Sequence, residues 1–168
     1  MDAVTYPTPE VIETLNERFV SFTVNTKEAD REGRELLRRY RLLWEPGFLF
    51  LDHRGTELRR FVGYRPADEF LAELSLVLGL EAILYARYDD AIEEFGIAES
   101  LTPEAETAAE ALFWAGTALY RRDRDLATLE TFWAEIGRRF PDSTWWKRAD
   151  VLEFKPTGER LATRTETS

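Results

Sequence analysis

Residues 44–66 read Trp44-Glu45-Pro46-Gly47-Phe48-Leu49-Phe50-Leu51-Asp52-His53-Arg54-Gly55-Thr56-Glu57-Leu58-Arg59-Arg60-Phe61-Val62-Gly63-Tyr64-Arg65-Pro66, and their order decides the fold. Four consecutive apolar residues, Phe48 to Leu51, stand between turn residues, which predicts a strand buried on both faces. Asp52-His53-Arg54-Gly55 predicts a turn. Glu57 to Tyr64 predicts the return strand, and its Arg59 and Arg60 suit an edge, where charge discourages pairing with other chains. A helix starts at Pro66 and sets Phe70, Leu71, Leu74, Val77 and Leu78 at helical spacing.

Upstream, Thr8-Pro9-Glu10 combines a capping residue, a proline suited to the first helical position and an acid suited to the positive end. Val11, Ile12, Leu15 and Phe19 continue that helix. From Phe19 to Val24 the pattern alternates, with Val20, Phe22 and Val24 on one side and β-branched and aromatic types throughout, which predicts a strand. Polar residues Asn25 to Asp30 lead to a second helix through Leu36, Leu37 and Tyr40. A strand–helix–strand order implies a right-handed crossover and parallel pairing.

After Gly79 the strand signals stop. Helices are predicted over Leu80 to Glu99, from Thr102-Pro103-Glu104 through Leu119, and over Asp123 to Phe140, where Pro141 ends the run. Ser143 caps a last helix with Trp145, Trp146, Ala149 and Leu152. Residues 155–168 form a polar tail. A faint repeat sets Arg87-Tyr88-Asp89-Asp90-Ala91 beside Arg122-Asp123-Arg124-Asp125-Leu126-Ala127, with Phe95 and Phe132, then Pro103 and Pro141, in step. That spacing resembles the ~34-residue period of tetratricopeptide helical pairs.

The chain has 168 residues, 44% of them hydrophobic and no cysteine. That is enough apolar matter for a packed core, and no run reaches the ~20 residues of a membrane helix. Its net charge of −10 opposes binding to nucleic acid, whose affinity comes mainly from neutralising phosphates. The arginine pairs at 38–39, 59–60, 121–122 and 138–139 read as solvated faces and helix C-termini. A cytoplasmic protein without a membrane partner is expected. The single histidine, His53, falls in a turn with no nucleophile at motif spacing. Asp89, Asp90, Glu93 and Glu94 lie on a helix and point to different faces, unlike a calcium loop. The 9 glycines are dispersed, so no phosphate loop is present. No cofactor and no metal are expected.

The first half resembles a thioredoxin-like domain. The resemblance rests on Val11 and Leu15 before the strand, Phe19-Val20 opening it, Tyr40 just before the loop, Glu45-Pro46-Gly47-Phe48-Leu49-Phe50-Leu51, the Asp52–Gly55 hairpin, and Phe61-Val62-Gly63-Tyr64-Arg65-Pro66 with Phe70. It implies that Pro46 is cis and that the backbone of Glu45 pairs with an extended peptide. Gly47, where that family commonly has threonine, and a charged Glu45 depart from its pattern. The larger departure is the front. Met1-Asp2-Ala3-Val4-Thr5-Tyr6 is similar to the stretch just after the second cysteine of the family's Cys-x-x-Cys turn. The strands, helix and cysteines before it lie upstream of Met1 in a longer gene, or have been lost; both readings stay open.

These readings imply an α/β protein: a partial thioredoxin-like domain over 1–78 with a three-stranded sheet, a tetratricopeptide-like helical region over 79–154, and the tail. Without the family's central strand, the segments at Phe19 and Phe48 pair directly, or another chain fills the gap, because each buried unpaired backbone group costs roughly 1–3 kcal/mol. Apolar surface near Val20, Phe22 and Phe48 is then left uncovered by this half. A thiolate is required for dithiol chemistry, so the chain as it stands is no thiol oxidoreductase. The expected role is a redox-inactive protein- or peptide-binding module, with a homodimer as one expected assembly. The alternative is a fragment of a thiol-disulfide oxidoreductase whose Cys-x-x-Cys lies upstream of Met1. The expected peptide surface is Trp44, Glu45, Pro46 and Gly47. Trp145 and Trp146 are adjacent and cannot face one side of a helix, so at least one is expected at a surface or interface.

Overall fold

The structure is a computed structural model, and it describes residues 5–42 and 44–150. Along the chain run α1 (Pro9–Arg18), α2 (Arg31–Tyr40), β1 (Gly47–Leu51), β2 (Glu57–Val62), α3 (Ala67–Leu84), α4 (Tyr88–Leu101), α5 (Glu106–Asp123), α6 (Leu126–Arg139) and α7 (Thr144–Ala149). Two compact units divide between Phe70 and Leu71. The sequence division after residue 78 falls inside α3. The polar tail and Leu152 lie outside the described residues.

In the first unit, Thr8 occupies the N-cap of α1 in extended conformation, and Pro9 takes the first turn as its fixed φ allows. Asp30 caps α2 by accepting from the Gly33 N–H at 2.7 Å. β1 and β2 pair antiparallel, Gly47 opposite Val62 and Phe48 opposite Phe61, with an irregularity between Phe50 and Leu51 that leaves Leu58 as the extra residue. The connecting turn is built on Asp52. Its Oδ1 accepts from the N–H groups of Arg54 (2.9 Å) and Thr56 (2.8 Å), and Gly55 supplies the left-handed φ of 79°. The Tyr40 hydroxyl donates to the Gly55 carbonyl at 3.1 Å and ties the end of α2 to the hairpin.

One face of the hairpin carries an aromatic cluster. Phe48 stacks on Phe61 at 4.6 Å, and both meet Phe70 edge-on, with Tyr6 against Phe48 and Phe70. Residues Phe48 to Leu51 are each half-buried, so the expectation of a strand buried on both faces is corrected.

The strand expected over Phe19–Val24 is absent, and the sheet is two-stranded instead of three-stranded. Phe19 is extended (φ −134°, ψ 151°) and its ring lies 6.1 Å from that of Phe50. No hydrogen-bonded ladder follows. A strand exists through its neighbour, and among the described residues none pairs with this segment. Direct parallel pairing with β1 is therefore ruled out as the remedy for the missing strand. Val20 is 98% exposed and Phe22 70%.

The second unit is helical. Its core draws on Leu76, Ala82, Phe95, Ala98, Ala111 and Ala115, with a second cluster around Leu112, Ile136 and Trp146. Small side chains let helix axes approach. At three places a glycine faces an aromatic side chain: a Cβ would fall 2.5 Å from Phe95 Cε1 at Gly79, 2.7 Å from Phe132 Cβ at Gly116, and 2.8 Å from the Trp146 ring at Gly137. The first two pairs recur at an interval of 37 residues, 79 to 116 and 95 to 132. Gly79 thus lies within α3, not at a boundary, and α3 runs on to Leu84 before the turn at Tyr85–Arg87 opens α4. Likewise Thr102-Pro103-Glu104 is a turn, with α5 beginning at Glu106. The Thr102 hydroxyl donates back to the Ala98 carbonyl at 3.3 Å, closing α4 instead of capping α5.

Three of the four arginine pairs sit where the helix dipole favours them, in the last turns of α2, α5 and α6, and the fourth, Arg59–Arg60, lies on β2. Arg122 reaches Asp89 on α4 at 2.6 Å, and Arg139 reaches Glu99 and the Pro103 carbonyl. No described helix is long and apolar enough to cross a membrane.

Candidate binding loop

Trp44, Glu45, Pro46 and Gly47 form a loop that enters β1, and all four are exposed. The Glu45–Pro46 peptide bond is cis. The loop is held by the residue that follows β2: the Gly63 N–H donates to the Pro46 carbonyl at 2.8 Å. Gly63 reaches it with a φ of 89°, a backbone conformation that glycine adopts without penalty. Because Gly47 pairs with Val62, the exposed side chains of Trp44 (70%), Val62 (53%) and Tyr64 (50%) belong to one end of the hairpin. Sequence reasoning picked the loop but not Val62 or Tyr64. The signal for them is the register, which puts the end of β2 beside the start of β1.

Gly47 has a packing reason to be glycine. A Cβ there would lie 2.8 Å from the Trp44 carbonyl oxygen, a backbone atom that cannot move aside alone. Gly47→Thr is therefore expected to destabilise the first unit by about 1–3 kcal/mol through overpacking. Urea unfolding followed by far-UV circular dichroism checks it, and a variant as stable as the parent would show that the loop yields freely.

His53 is exposed in the turn. On β2, the Arg60 guanidinium hydrogen-bonds Glu57 and holds its carboxyl below the usual carboxylate range. Asp89 and Asp90 are engaged by Arg122 and Arg87.

The two C-terminal tryptophans separate. Ser143 caps α7 by accepting from the N–H groups of Trp145 (2.9 Å) and Trp146 (3.2 Å). That cap turns Trp146 inward, 8% exposed, onto Gly137. Trp145 stays half-buried among Phe113 (5.1 Å) and Trp114 (6.1 Å), with the Arg148 guanidinium 4.3 Å above its ring. Trp145 is the more exposed of the pair. Trp133 stacks on Phe113 at 4.7 Å and donates to its carbonyl at 3.2 Å. Glu94, expected on a solvated helix surface, is buried instead, as are Glu73 and Glu110, which the sequence did not mark out; each is less than a tenth exposed. Glu110 accepts from Trp114 Nε1 at 3.4 Å.

Residues 1–78 match the family model described as Thioredoxin-like domain. No curated protein and no solved structure matches the chain. The architecture is thus α/β, a two-stranded antiparallel sheet with helices followed by a helical region, and residues 1–78 are similar to that family.

Proposed function

We propose that this protein is a non-catalytic binding module that docks an extended segment of a protein or peptide at the Trp44–Gly47 loop. The observation that carries this reading is Trp44, a large apolar side chain left 70% exposed beside Val62 and Tyr64. Aromatic side chains in such positions are the common anchors of interfaces. Glu45 offers backbone groups and one negative charge next to that anchor, which suits a segment with an apolar side chain and a neighbouring cation. The absence of cysteine leaves the chain without a thiolate for exchange chemistry. The helical unit is read as a tetratricopeptide-like scaffold, a reading supported by the recurrence of glycine and aromatic partners at matched positions.

The test is selection of a displayed random-peptide library on the protein, followed by fluorescence polarisation with a labelled selected peptide. Binding is expected to weaken about tenfold or more in Trp44→Ala, as befits the loss of a central aromatic anchor. Equal binding by the variant, or no enriched peptide, overturns the assignment of this loop.

A further inference from the structure

We propose that the segment Phe19–Val24 is a self-pairing strand: two copies of the chain associate through it across a two-fold axis, antiparallel and centred on Ser21. The segment has the composition and alternation of a strand, yet it has no strand partner among the described residues, and Val20 and Phe22 lie open to water. Such a segment is a template for pairing with another chain.

A second copy fits as the occupant on three grounds. First, the segment is self-complementary. With Ser21 opposite Ser21, each Val20 faces the other copy's Phe22, twice, and aromatic with β-branched pairs are favourable cross-strand neighbours. An interface of this kind, the same patch on both subunits, closes on itself. Second, charge allows it. Residues 19–24 carry none, and residues 1–70 hold thirteen acids against eleven lysines and arginines, so most of the −10 lies beyond them. Third, the flanking helices complement each other. α1 carries three glutamates, Glu10, Glu13 and Glu17, against one arginine, Arg18, and α2 carries four arginines against two glutamates. Antiparallel pairing sets the start of one segment beside the end of the other. It therefore brings the acidic α1 of one copy toward the basic α2 of its partner instead of like toward like. The contact is small, so association falls in the weak class of interfaces.

The residues that pair here are not those of the Trp44 loop, so the two proposals are tested separately. Sedimentation equilibrium over a concentration series is expected to show a monomer–dimer equilibrium. Phe22→Lys, at an exposed position that leaves the circular dichroism spectrum unchanged, is expected to raise the dimer dissociation constant about tenfold or more, since it sets buried unpaired charge in the pair. The chain lacks cysteine, so a single introduced thiol is a clean probe. Ser21→Cys is expected to form a disulfide-linked dimer under copper–phenanthroline oxidation, because directly opposed strand residues lie within the reach of a disulfide. Thr131→Cys, exposed on α6, serves as the control and is expected to cross-link slowly. A strict monomer at every concentration, a dimer unmoved by Phe22→Lys, or equal cross-linking of the two thiols would each overturn the proposal.

Discussion

Phe95→Ala is expected to lower the stability of the helical unit by about 3–5 kcal/mol, the range for deleting a buried aromatic side chain. Phe95 is fully buried, and its ring lies against the backbone of α3 at Gly79. The floor of that notch is main chain, held by helical hydrogen bonds, so it cannot sink to fill the space the ring leaves. The cavity term therefore persists alongside the lost transfer energy. A loss of this size is a large share of the ~5–15 kcal/mol that holds a typical domain together. Denaturant unfolding followed by tryptophan emission reads it directly, because four of the five tryptophans lie beyond residue 70. A loss under about 1 kcal/mol would mean that α3 and α4 close the gap between them.

Phe70→Ala is expected to have a comparable cost, about 3–5 kcal/mol, but in the other unit. Phe70 is 2% exposed and meets Phe48 at 5.5 Å, Tyr6 at 5.9 Å and Phe61 at 6.2 Å. Among the described residues up to 70, it and Val11 are the buried hydrophobic side chains. Removing it withdraws the centre of the aromatic cluster on which the hairpin rests. Native-state hydrogen exchange is the measurement of choice. The amides of β1 and β2 are expected to lose protection while those of α5 and α6 keep theirs, as separate cooperative units allow. Uniform loss in both sets would show that the two units unfold as one.

Much of the hairpin was legible because its signals are local. Asp52 and Gly55 make their turn with their own neighbours, and Phe48–Leu51 stand between clear punctuation, so β1, the turn and the start of β2 fall where the pattern puts them, while β2 ends at Val62, short of the expected Tyr64. Phe19–Val24 failed for the opposite reason. Alternation and β-branching describe what a segment can do once a neighbour supplies hydrogen bonds, and no residue type within the segment tells whether that neighbour exists. Gly79 and Thr102 misled in another way. Each carries the residue type of a helix boundary, but one serves as a notch for the Phe95 ring and the other bonds back to Ala98. Such roles depend on the groups that pack across the helix and leave no trace in the flanking residues. The loop at Trp44–Gly47 was legible as a loop. Its exposed surroundings at Val62 and Tyr64 were not, since they arise from strand register.

The glycine notches turn the helical half into a ruler. Adding or deleting one residue inside α5 would rotate everything after it by about 100° about the helix axis and carry Gly116 away from Phe132. Inserting a whole block of the length that separates Gly79 from Gly116 would instead keep the spacing that those two glycines share with Phe95 and Phe132. Lengthening by duplication is thus geometrically open to this half, while gradual growth by single residues is closed.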